Sequence, residues 1–278
     1  MFKGKRIALG QHFLKDKGIA QTIVQKFVEE VKKNRSQSSL EIGPGKGALT
    51  FPLLKLLENE NIKRIFCEKD YEFSATWKNL FAISPAPIRE NTLLIEGDFL
   101  DLKEESWLIA SPLSILSNLP YSVGTAILSK LAKQPRKIPV MVLMLQAEVA
   151  QRLYASPRTK SWGSLSLWIQ NRWDVEKLIS VPPQAFVPPP KVFSEVVILR
   201  ARAQARVIIP DTQEAEALWE KLLKIAFQHR RKMLRAGFPK EGPWRNVLET
   251  SGVDATSRAE ALDWNDWDQL FRAALQFL

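Results

Sequence analysis

Cysteine, histidine and long apolar runs are all scarce in this chain. A single cysteine, Cys67, excludes an internal disulfide. Its place within an apolar stretch makes it a small hydrophobe in a protein of a reducing compartment. No stretch approaches the roughly 18 consecutive apolar residues that a spanning helix needs, so no membrane association is expected. Lys3, Lys5, Arg6, Lys15 and Lys17 crowd the start of the chain without the apolar centre of a secretion signal. The first acidic residue is Asp16, as in a mitochondrial presequence, but a recognisable motif already begins near Leu9 and leaves too little room for one. A cytoplasmic location is expected, with no metal centre. The 278 residues, 45% hydrophobic and 25% charged, exclude collagen-like, mucin-like and wholly disordered chains. That length fits one large domain or a main domain with a smaller companion.

Acidic residues are in deficit, 30 against 40 basic ones, for a net charge of +10. The imbalance is local. Through residue 205 there are 29 basic and 19 acidic residues, and from 206 onward 11 of each. An excess of this kind attracts polyanions and speeds encounter with them, which makes nucleic acid a candidate partner on charge alone.

Ile19, Ile23, Phe27 and Val31 recur every fourth position, with Val24 and Val28 beside them, so the region 19–33 is expected to be an amphipathic helix. Short apolar runs at 40–42, 64–67, 92–95, 114–117 and 140–145 alternate with helical stretches. Runs apolar on both faces suit parallel strands covered by helices, and the expected class is a doubly wound α/β, Rossmann-like sheet. Two further strands, 175–181 and 192–199, are separated only by a proline-rich stretch too short for a crossover helix. They are expected to be antiparallel at one side of the sheet. Beyond Ala203 the pattern is helical, at 214–228, 230–236, 243–251 and 258–277. These features divide the chain into residues 1–205, an α/β domain, and 206–278, a small all-helical domain.

Glu41-Ile42-Gly43-Pro44-Gly45-Lys46-Gly47 carries a strand into a glycine turn ahead of a helix, where backbone can approach a ligand closely and N–H groups can face an anion. The spacing is G-x-G-x-G, not the dinucleotide-type G-x-G-x-x-G. Glu68, 25 positions after Gly43, ends the next strand, where a carboxylate can accept both hydroxyls of a ribose; Asp70 is a poorer substitute. Asp98 ends the third strand and can accept from the exocyclic amine of adenine. Each feature alone also fits a ligand-free turn. Together they point to an adenosine-containing cofactor.

The fourth strand delivers Asn118-Leu119-Pro120-Tyr121. An adenine amine is a poor nucleophile because its lone pair is delocalised into the ring. The Asn118 side-chain oxygen and the Leu119 carbonyl can accept its two N–H groups, Pro120 restricts the backbone, and Tyr121 offers a stacking surface. A turn capped by Asn118 with Tyr121 in the core is the competing reading of the tetrad alone.

Seven ordered blocks carry a resemblance over nearly the whole chain: Leu9–Leu14, Glu41–Thr50, Gly97-Asp98, Asn118–Tyr121, Leu145–Leu153, Phe186–Val192 and Ala226–Arg235. The sequence resembles the KsgA family of small-subunit (16S) ribosomal RNA adenine dimethyltransferases. That resemblance implies S-adenosylmethionine as cofactor and rRNA in a pre-ribosomal particle as partner. It implies that His12, Leu14, Gly43, Gly45, Glu68, Asp98 and Asn118 shape the cofactor pocket, and that Phe186 is a second ring opposite Tyr121, sandwiching a flipped adenine. It also extends RNA binding to Arg230, Arg231, Lys232 and Arg235, read as clustered on one helical turn, with Lys3, Lys5 and Arg6 as an additional arm. Nothing calls for a dimer, so a monomer is expected. The competing functions are a large-subunit rRNA methyltransferase of the antibiotic-resistance type and a non-catalytic assembly factor.

Overall fold

The computed structural model describes His12–Gln276. Lys3, Lys5, Arg6 and the beginning of the first motif therefore lie outside the described residues.

The chain forms two compact units. Among the described residues, one comprises those up to Ala150 together with Asp174–Ala201; the other comprises Gln151–Trp173 and those from Arg202 to Gln276. In the first unit, β1 (Phe13–Leu14) precedes α1 (Lys17–Lys33), which starts where the Asp16 carboxylate accepts the Ile19 N–H at 2.9 Å. The four-residue repeat buries Ile23, Phe27 and Val31 on one face of α1, as expected from the spacing. Deleting the Phe27 ring would cost about 3–5 kcal/mol.

The main sheet is built from β2 (Ser38–Ile42), β3 (Lys63–Glu68), β4 (Thr92–Glu96), β5 (Leu113–Asn118), β6 (Val140–Gln146), β7 (Trp173–Val181) and β9 (Ser194–Ala201), in the order β4-β3-β2-β5-β6-β9-β7. Between β2 and β3 lies α2 (Thr50–Leu56), between β3 and β4 lies α3 (Tyr71–Ala82), and α4 (Gly124–Leu131) follows β5. Strands β2 to β6 are parallel, and β9 runs antiparallel to β6. This is the expected mostly parallel Rossmann-like sheet. The strand-like pair also falls on one side of it, but β9 inserts between β6 and β7, an order set by long-range pairing.

The chain passes from β2 outward through β3 and β4, then returns to place β5 on the other flank of β2. Such a switch point opens a crevice at the carboxyl ends of the strands. Register brings the ends level, because Ile42 pairs with both Cys67 and Ser117. Outside this sheet, β1 pairs antiparallel with β8 (Phe186–Val187), matching Leu14 with Phe186.

The second unit contains α5 (Ser164–Gln170), α6 (Gln213–Gln228), α7 (Leu234–Gly237), α8 (Pro243–Thr250) and α9 (Trp264–Leu275). It differs from the expected 206–278 domain by recruiting residues 151–173. Asn171 holds Val207 by two bonds, side-chain N–H to carbonyl at 3.1 Å and backbone N–H to side-chain oxygen at 2.7 Å. Arg172 pairs with Glu216. Neither charge balance nor periodicity carries such contacts. Two helices are also shorter than expected. The N–H groups of Leu234 and Arg235 bond to the carbonyls of Ser257 and Ala255, so 230–233 is a turn and no continuous helix spans 230–236. Asp263 and Asp266 form a capping box that starts α9 afresh after a 3₁₀ turn at Ala259–Ala261.

Candidate active site

The strand ends at the switch point converge on one cavity. It is lined by His12, Leu14, Gly43, Gly45, Glu68, Asp98, Asn118, Leu119, Pro120 and Tyr121, together with Phe13, Glu41, Lys46 and others. The expected cofactor positions and the tetrad are thus brought together.

The glycine turn is shaped by backbone angles of +71° at Gly43 and +82° at Gly47, a region that disfavours side chains. A Cβ on Gly47 would lie 2.5 Å from the Phe51 ring, whereas one on Gly43 would meet nothing within 4 Å. Gly43 therefore leaves an open face on the cavity and Gly47 is required by packing. The helix does not begin at the turn, since α2 starts only at Thr50. The Gly45 N–H donates to the Glu68 carboxylate, at Oε2, at 2.8 Å.

Glu68 Oε1 accepts the Asp70 N–H at 2.8 Å, which fixes the carboxylate plane. Burial raises its pKa above the usual carboxylate range, against backbone N–H donors that favour the charged form. Asp70 serves as the N-cap of α3, its Oδ1 accepting from Glu72 N–H at 2.9 Å, while both Glu68 oxygens are held by backbone N–H groups with the carboxylate lining the cavity. Asp98 accepts the Leu100 N–H at 3.0 Å and pairs with Lys69 at 2.6 Å, and the Lys69 bond lowers its pKa. Its loop is held by Lys130, whose ammonium donates to the carbonyls of Phe99, Leu100 and Leu102 at 2.8, 3.0 and 2.5 Å.

Asn118 donates its side-chain N–H to the His12 carbonyl at 3.3 Å, which turns Oδ1 away as the available acceptor. The Leu119 N–H continues the β5–β6 ladder to Met144 O at 3.1 Å, and among the described residues its own carbonyl accepts no backbone bond. Two acceptors thus lie on consecutive residues. The Tyr121 hydroxyl meets Ser194 Oγ at 2.5 Å, and its ring lies 5.2 Å from that of His12 at 34°. His12 Nδ1 donates to Pro188 O at 2.8 Å, a positioning bond.

Phe186 departs from expectation. It is 1% exposed within the hydrophobic core and does not line the cavity; its strand partner Leu14 does. The ring that contacts Tyr121 is His12. The basic cluster is also divided. Arg230 is used internally, paired with Glu260 at 3.0 Å and donating to Lys160 O and Thr159 O, while Arg231, Lys232 and Arg235 are exposed.

Sequence reasoning missed Glu41. It lines the cavity, is 2% exposed, and its Oε2 has no hydrogen-bond partner among the described residues. Burial pushes its carboxyl up to about 8, with the Glu68 carboxylate adding to the effect and the Thr50 hydroxyl opposing it. Its place in the glycine block, two residues before Gly43, was the available signal.

Comparison with known proteins agrees with this geometry. A protein from Dichelobacter nodosus named ribosomal RNA small subunit methyltransferase A is 37% identical over 276 residues, covering 95% of this chain and 94% of the relative. One of the same name from Dinoroseobacter shibae is 35% identical, covering 95% and 90%. A crystal structure of a dimethyladenosine transferase from Plasmodium falciparum has a TM-score of 0.68 at 24% identity, covering 93% of this chain and 96% of that one. The 23S rRNA methyltransferase ErmE gives 0.63 at 20%, covering 95% and 100%. Both structures share the fold. The family model for ribosomal RNA adenine dimethylase matches residues 2–275, and the chain belongs to that family.

Proposed function

We propose that the protein is an S-adenosylmethionine-dependent methyltransferase that converts two adjacent adenines of small-subunit ribosomal RNA to N6,N6-dimethyladenosine. The supporting observation is the order of polar groups along one sheet edge. Across β4, β3, β2 and β5 the cavity meets Asp98, Glu68, the glycine turn and Asn118 in turn. That sequence suits adenine amine, ribose hydroxyls, amino-acid tail and reacting amine.

The residues fit the cofactor. Gly43 leaves an open face, and the buried Glu41 Oε2 has no hydrogen-bond partner among the described residues. When bound, the cofactor supplies an electrophilic methyl group. The chain supplies position: Asn118 Oδ1 and the Leu119 carbonyl accept the two amine N–H groups and localise the lone pair on nitrogen. Pro120 restricts the backbone that presents those acceptors. Tyr121 stacks the base, held in place by Ser194 and His12. Arg231, Lys232 and Arg235 contact RNA phosphates, and Arg230 stabilises the turn that carries them. The protein acts in the cytoplasm, as a monomer, on a pre-ribosomal particle.

Treating purified small and large subunits that lack the modification with labelled S-adenosylmethionine tests the assignment. Label in the small subunit is expected. Label confined to the large subunit would overturn the substrate, and none in either would overturn catalysis.

A further inference from the structure

The segment from Phe186 to Ser194 is fastened to the cavity at both ends. Pro188 O accepts from His12 Nδ1 at 2.8 Å, and Ser194 Oγ meets the Tyr121 hydroxyl. Its far end is also fixed by the main chain, because Phe193 O accepts the Ala147 N–H at 2.9 Å and Ser194 pairs with Gln146. The segment exposes Val187 at 47%, just before the Pro188 anchor, and Val192 at 45% and Phe193 at 55% between the two anchors. Scattered exposed apolar residues need no explanation, but Val192 and Phe193 are consecutive and stand immediately before the Ser194 anchor. Phe193 adjoins Ser194, so its backbone lies about 3.8 Å along the chain from the residue that meets Tyr121, while its own side chain is directed to solvent. The block's other phenylalanine, Phe186, is inside the core.

We propose that Phe193, flanked by Val192, is a stacking subsite for an unpaired RNA base neighbouring the adenine that enters beside Tyr121. The proposal rests on the RNA methyltransferase reading. Charge favours this occupant: exposed Lys191 lies on the same loop, and the net +10 arises within the first 205 residues, which include it. An aromatic ring beside a cation suits a base and its phosphate, and stacking tolerates any base identity.

The test compares full-length wild type, Phe193→Ala and Phe193→Trp on small-subunit particles that lack the modification. Losing one stacked base is expected to raise the KM for particles about tenfold, leaving kcat and cofactor Kd unchanged. Phe193→Trp is expected to restore the wild-type KM. An unchanged KM in Phe193→Ala, a tryptophan variant as weak as the alanine one, or a parallel loss of cofactor binding would each overturn the subsite. Ultraviolet crosslinking of wild type in the particle should join the Phe193 peptide to a nucleotide, and a crosslink to a ribosomal protein would instead assign the patch to protein contact. Wild type that transfers no methyl group would sink the methyltransferase reading and the subsite together. Normal transfer with a KM indifferent to Phe193 would sink the subsite alone.

Discussion

Replacing Glu41 by glutamine should flatten part of the protein's stability profile against pH. The carboxyl is 2% exposed, and desolvation pushes it up to about 8 from an ordinary value of 4.5. Between those limits the folded chain holds a proton that the unfolded chain has released, so stability is lost as pH rises through the window. The groups facing it are the Thr50 hydroxyl at the start of α2 and the Glu68 carboxylate at the end of β3; no cation is among the groups that shift it. Each pH unit well inside the window costs about 1.4 kcal/mol and the slope halves at the folded pKa, so Glu41→Gln should gain about 2 kcal/mol on wild type between pH 6 and pH 8. Urea unfolding of both proteins at several pH values, without cofactor, measures the difference, and taking it cancels titrations common to both. Curves that stay parallel from pH 6 to 8 would show that Glu41 is ionised or solvated in the folded protein and would refute the reasoning.

Asn118→Ala should lower kcat by about 10²–10³-fold, measured by single-turnover methyl transfer, because one of two amine acceptors is lost. Gly43→Val should weaken cofactor binding by calorimetry, since its side chain would enter the open face of the cavity at a backbone angle of +71°. Arg200→Met should cost about 1–3 kcal/mol in urea unfolding near neutral pH by leaving the buried Glu30, which Arg200 Nη2 meets at 2.6 Å, with Lys26 at 3.6 Å as its remaining ion pair among the described residues. The Arg200 bond lowers the Glu30 pKa, so the pair's stabilisation is present above the ordinary carboxylate value and is lost on acidification; the penalty should shrink below pH 4. Replacing Arg231, Lys232 and Arg235 together by alanine should reduce the salt dependence of RNA binding by a slope of about 2–3, whereas Arg230→Ala should lower the thermal midpoint by releasing Glu260, Lys160 O and Thr159 O.

Features that depend on neighbouring residues were legible in the sequence. The four-residue repeat of α1, the apolar runs of β2 to β6 and the glycine turn are written in consecutive positions, and the parallel sheet follows from them. The acidic strand ends were legible because a doubly wound sheet places them at one crevice. Features that depend on distant pairing were not. The β1–β8 pairing draws Phe186 into the core through Leu14, and nothing in Phe186–Val192 distinguishes a buried ring from an exposed one. The excursion of residues 151–173 depends on Asn171 and Arg172 finding Val207 and Glu216. The turn at 230–233 depends on carbonyls some twenty residues further along the chain. Glu41 was hidden by its position inside a strand, where a carboxylate pattern resembles any other polar interruption.

The central claim is that paired acceptors at Asn118 and Leu119 present an adenine amine for methylation. Mass spectrometry of nucleosides from small-subunit RNA, after incubation with wild type or Asn118→Ala and the cofactor, tests it most directly. The account predicts N6,N6-dimethyladenosine at two adjacent positions with wild type and a severe deficit with the variant. Methyl groups on a ring nitrogen, on ribose or on another base, or equal dimethylation by the variant, would contradict it.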